Sequence, residues 1–125
     1  MGVLTKDAIL GADDIKRQLV EVPEWGGSCY VSVMNGKSRD AFESEMAGAR
    51  NSAKRLGRSV EEVLTNFRAS LVVRCLVDES GKRLFADSDV ELVGAKSGAA
   101  LDRVFEVALK LNKLSNADVE NLTKN

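Results

Sequence analysis

The stretch from Ser59 to Val77 constrains the chain most. Ser59 is a good N-cap, and Glu61 and Glu62 occupy a first turn where the helix dipole favours acids. Val60, Val63, Leu64, Phe67 and Leu71 follow at helical spacing. From Leu71 to Val77 only Arg74 is not apolar, so the pattern predicts a rod that is greasy nearly all round. Such a helix in a water-soluble fold is covered on more than one side. Asp78-Glu79-Ser80-Gly81 is read as its end, with Gly81 free to take the left-handed C′ conformation.

Elements on either side of the rod are shorter. Thr5 caps a predicted helix from Lys6, with Ala8, Ile9 and Leu10 as its apolar side and Gly11 as its stop. Gln18–Val22 and Cys29–Met34 are valine-rich and read as two strands. Pro23-Glu24-Trp25-Gly26-Gly27 lies between them as a hairpin loop, and Asn35-Gly36 breaks the second strand. Ser38 is read as the next N-cap. Phe42, Met46, Ala49, Ala53 and Leu56 then form a narrow apolar stripe, and Gly57 ends that helix. Leu84 and Phe85 sit in a short connection tucked against the core. Ser88 starts a short helix with Val90, Leu92 and Val93 that stops at Gly94. Ser97 caps the last long helix, whose apolar face is Leu101, Val104, Phe105, Ala108, Leu109 and Leu111. Ser115 caps a final segment, Asn116 to Leu122. The predicted fold is α+β, mainly α: an N-terminal β-hairpin with a bundle of four to six helices around the apolar rod. At 125 residues the expectation is one domain spanning 1–125.

The residues carry little chemistry. The chain has no histidine, which removes Ser-His-Asp and Cys-His catalysis and the commonest metal ligand. Cys29 and Cys75 lack zinc spacing and read as reduced core thiols. Gly94-Ala95-Lys96-Ser97 departs from a P-loop, because alanine separates the glycine from the lysine. Asp87, Asp89 and Glu91 lack EF-hand spacing and suit a helix start. The reading is therefore no enzyme, no cofactor and no metal site. A net charge of -1 gives no basic footprint for nucleic acid. Two consecutive helices invite comparison with helix-turn-helix DNA binding, but the second lacks a polar recognition face. The chain has no apolar run of membrane-spanning length and no signal-peptide core, so a cytoplasmic protein is expected. Met1-Gly2 opens like a myristoylation site, but Lys6 stands where that motif needs Ser or Thr.

Trp25 admits two readings. It is either an apolar plug over the core or an exposed anchor for a partner, since Trp is enriched at binding hot spots.

Several stretches resemble the tail assembly chaperones of long-tailed, siphovirus-type bacteriophages and prophages. They are Leu4-Thr5-Lys6-Asp7-Ala8-Ile9-Leu10, Val20-Glu21-Val22-Pro23-Glu24-Trp25-Gly26-Gly27 and Cys75 through Phe85. Ala100-Leu101-Asp102-Arg103-Val104-Phe105-Glu106 and Leu109 through Ser115 complete the set. The resemblance implies a non-catalytic factor that binds the tape measure protein, keeps it soluble and helps recruit major tail (tube) protein. It implies work in the host bacterial cytoplasm and absence from the mature virion. Many such proteins are made in two forms by ribosomal frameshifting, and Lys124-Asn125 can be encoded by an A-rich slippery run. Self-association is expected, because many copies along one polymer gain from weak mutual contacts. The partner-binding candidates are Pro23, Glu24, Trp25 and Gly26, with the exposed parts of the terminal helices. The alternatives are a small structural tail component and, less favoured, a DNA-binding regulator.

Overall fold

In the computed structural model, residues 2–59 and 66–114 are described. The chain runs α1 (Lys6–Gly11), β1 (Arg17–Val22), β2 (Gly27–Ser32), α2 (Gly36–Leu56), α3 (Phe67–Cys75), β3 (Leu76–Val77), α4 (Val90–Gly94) and α5 (Gly98–Leu111). It is α+β and mainly α, with a three-stranded antiparallel sheet in the order β1-β2-β3.

Local signals set most boundaries. Thr5 accepts the Ala8 N–H and starts α1, as predicted. Gly57 takes φ +67, and its N–H returns to the last turn of α2, a backbone state that favours glycine. Ser97 accepts the Ala100 N–H and starts α5. The start of α2 differs from expectation: Asn35, not Ser38, is the cap, its Oδ1 accepting the Ser38 N–H at 2.8 Å. Asn35-Gly36 thus both ends the strand and starts the helix, since Asn caps as well as Ser.

The greasy rod is correct in its burial and wrong in its far end. Every residue from Ala69 to Cys75 is buried. Leu76 and Val77, however, leave the helix and pair with Val31 and Tyr30 as β3. Asp78–Gly81 therefore closes a strand turn instead of capping a helix. The Asp78 carboxylate accepts from Ser80 N, Ser80 Oγ and Lys82 N, while Gly81 takes φ +90. Leu84 N–H then returns to the Leu76 carbonyl, folding residues 82–85 back beside β3. The rod is described from Phe67 onward. Val60–Thr65, which carry its predicted first turns, lie outside the described residues, as do Ser115, the segment 116–122 and Lys124-Asn125.

The core gathers Val22 and Val31 from the sheet, Phe42 and Met46 from α2, Leu71, Val72, Val73 and Cys75 from α3, and Leu101, Val104, Phe105, Ala108 and Leu109 from α5. Leu56, expected on the α2 stripe, is exposed at the helix end where Gly57 turns the chain away. Around α4, a 3₁₀ turn over Asp87–Asp89 precedes the helix, and Asp89, not Ser88, accepts the Ala86 N–H.

Arg74 is the charge inside this core. It donates to the Ser70 carbonyl and Ser70 Oγ, both at 2.8 Å, and reaches Glu45 Oε2 at 2.9 Å. Ser70 Oγ donates to the same Glu45 oxygen at 3.0 Å. Asp87 lies 3.4 Å from Arg74 and 2.7 Å from Arg83. The network joins α2, α3 and the turn before α4, which is how a buried charge is tolerated. Asn112 plays a similar part at the end of α5. It accepts from Met34 N–H at 2.8 Å and donates to the Ala108 carbonyl.

Candidate functional site

The hairpin loop is a 3₁₀ turn over Pro23–Trp25 that closes on Gly26 at φ +75. Proline pre-sets the turn and glycine supplies the left-handed residue, so Trp25 is held in one direction. Glu24 forms two hydrogen bonds with Arg103 of α5, at 2.9 and 3.1 Å, which pin the turn to the bundle. A bond from its own backbone N–H, then Arg103, holds the Glu24 carboxyl below the usual carboxylate range. Trp25 is half-buried and packs against the core. This favours the plug, but one side of the ring remains open to a groove.

That groove has a volume of about 390 Å³. Trp25 and Cys29 come from the hairpin, Leu76 from β3, Leu84 and Phe85 from the returning strand turn, and Leu92, Val93 and Lys96 from α4 and beyond. Leu84 and Leu92 remain exposed as large apolar side chains. Lys96 is the one charged group of the lining. The indole Nε1–H of Trp25 is buried and finds no acceptor among the described residues. A donor in that state keeps its full desolvation penalty.

Of the four hairpin candidates, the structure brings only Trp25 to the groove. Pro23, Glu24 and Gly26 are exposed on the turn itself. The sequence did not mark Leu92 as part of a site, because its helical spacing gave it to the core. Leu84 and Phe85 reach the groove only because β3 turns back. Cys29 and Cys75 are both free thiols. Burial pushes the Cys75 thiol up to about 12 and raises Cys29 as well, which makes both poor nucleophiles.

A second cleft of about 410 Å³ lies between Asn66–Ala69 and Gly94–Leu101. It contains Gly94 and Lys96 of the segment compared with a P-loop. Gly94 is there for packing: a Cβ at that position would run into the Asn66 side chain. Among the described residues no cluster of three or more Cys, Asp or Glu side chains could hold a metal ion, and no helix is long and apolar enough to cross a membrane.

Outside the core, α1 has no buried residue. Val3, Leu4, Ile9, Leu10, Ile15 and Leu19 all stay exposed, Leu10 at 74%.

A family model described as phage tail assembly chaperone matches residues 5–125. The chain belongs to that family. No curated protein matches, and no solved structure matches. The family places the chain in tail assembly within the host, among proteins that interact with phage tail components.

Proposed function

We propose that this member of the phage tail assembly chaperone family acts as one domain that holds the tape measure protein before the tail tube covers it. The tape measure is a long helical chain with apolar surface to hide, and a groove lined by Trp25, Leu84, Phe85 and Leu92 suits the apolar face of an entering segment. The observation that carries this reading is the groove itself, where Trp25 and Phe85 line an apolar surface and Leu84 and Leu92 stay exposed. The exposed hairpin residues Pro23, Glu24 and Gly26 form the rim of the contact. The role is non-catalytic: it shields one polypeptide and helps bring tube subunits to it. It belongs to the host cytoplasm and ends before the mature particle.

Co-expression with the tape measure protein tests the proposal. Wild type should keep the tape measure soluble and co-purify with it. Trp25→Ala and Leu92→Asp should each lose capture while keeping the wild-type circular dichroism. Equal capture by both variants would remove the groove from the account. Mass spectrometry of purified particles should find the protein absent, whereas stoichiometric presence would make it a structural tail component.

A further inference from the structure

We infer that the free edge of β1 pairs with β1 of a second copy, antiparallel and centred on Leu19. The register of β1 with β2 is regular from Arg17↔Ser32 to Val22↔Gly27. One step beyond it, Val33 N–H donates to the Lys16 carbonyl at 2.8 Å. Residues 16, 18, 20 and 22 therefore aim their backbone groups at β2, and Arg17, Leu19 and Glu21 aim theirs outward. β1 is an edge strand, and among the described residues those outward groups bond to no other segment. An open edge of this kind is a template for another strand.

The side chains select the partner. Arg17, Leu19 and Glu21 share the solvent face, opposite the core-facing Val22. Leu19 is 56% exposed. A two-fold axis through Leu19 places the two leucines together. It sets Arg17 of each copy opposite Glu21 of the other. Neither Arg17 nor Glu21 has an ion-pair partner among the described residues, although the Arg17 guanidinium lies over the Tyr30 ring at 4.9 Å. Like charges opposed across strands repel and opposite charges attract. Here the strand is its own electrostatic complement in one register only. Arg17, Leu19 and Glu21 each donate and accept outward, and the ladder ends where Pro23, with no N–H, would face Ile15 of the other copy. A ladder this short gives a weak, concentration-dependent dimer with one continuous sheet across both copies.

The geometry does not depend on the tape measure reading, and its test needs no other protein. Sedimentation velocity over a concentration series should show a monomer–dimer equilibrium for the full chain. Arg17→Glu alone, or Glu21→Arg alone, should raise the dimer Kd by about tenfold or more, because both cross-strand pairs become repulsive. The double variant Arg17→Glu with Glu21→Arg should recover the wild-type Kd. Mixing the two single variants should give a heterodimer, since one copy then carries two acids and the other two arginines. Leu19→Lys should leave a monomer. All these positions are exposed, and unchanged circular dichroism confirms folding. A wild type that is monomeric at every concentration overturns the inference. So does a dimer indifferent to Leu19→Lys and to both charge swaps.

Discussion

Two regions of the chain carry large apolar side chains and meet opposite fates. In α3, every side chain from Ala69 to Cys75 is buried, and even Arg74 has Ser70, Glu45 and Asp87 as partners, although its Nε–H finds no acceptor among the described residues. In the arm from Val3 to Leu19, six large aliphatic side chains face water. Apolar surface does not by itself decide burial. What separates them is whether neighbouring elements arrive to cover it. The rod is flanked by α2, α5 and the sheet, whereas no residue of α1 is buried and only the end of the arm joins the sheet, as β1. One region accordingly sets stability, and the other stays at the surface.

The sharpest way to break this comparison is a cavity in the rod. Leu71→Ala should cost about 3 kcal/mol in urea unfolding, since Leu71 is wholly buried. A loss below about 1 kcal/mol would mean the rod is not the core. Next comes the buried charge. Arg74→Ala should cost about 2 kcal/mol, less than a fully enclosed pair would, because Glu45 and Asp87 keep partial access to water. Arg74→Met should lose less than the alanine variant, since it refills the volume. A smaller effect lies in acid. Asp87 is held below the usual carboxylate range, first by its hydrogen bond from Arg83. Its contribution is present above its unfolded pKa and is lost as pH falls through the folded one. The wild-type unfolding midpoint should therefore drop below about pH 4, and Asp87→Asn should flatten that limb. An unaltered acid limb would detach Asp87 from the network. The smallest effect belongs to the arm: Ile9→Ala and Leu10→Ala should each shift stability by less than about 0.5 kcal/mol. A loss as large as that of Leu71→Ala would show that the arm is core after all.

Much of the helical frame was legible because its signals are local. Thr5, Gly57 and Ser97 act through bonds within one turn, and their roles follow from residue type. The stripe Phe42-Met46-Ala49-Ala53 is buried as its spacing predicts. The third strand was not legible. Two residues cannot display a period of two, and Leu76-Val77 continues a run that fits a buried helix or a buried strand equally. Missing β3 also misplaced Asp78–Gly81, and with it the return of Leu84 and Phe85 to the groove. Trp25 stood out by its type, whereas the groove beside it is tertiary. The open edge of β1 is tertiary too. Alternation shows which side chains share a face, but only the register with β2 shows which backbone groups remain unspent.

The direct passage from α3 into β3 has one more consequence. Cys75 is the last helical residue and Leu76 the first of the strand, with no linker between them. A joint without slack cannot act as a hinge. The amides of Val72 and Val73 should thus exchange with deuterium in step with those of Tyr30 and Val31, as one cooperative unit, while the amides of α1 exchange freely. Rod and sheet open together or not at all.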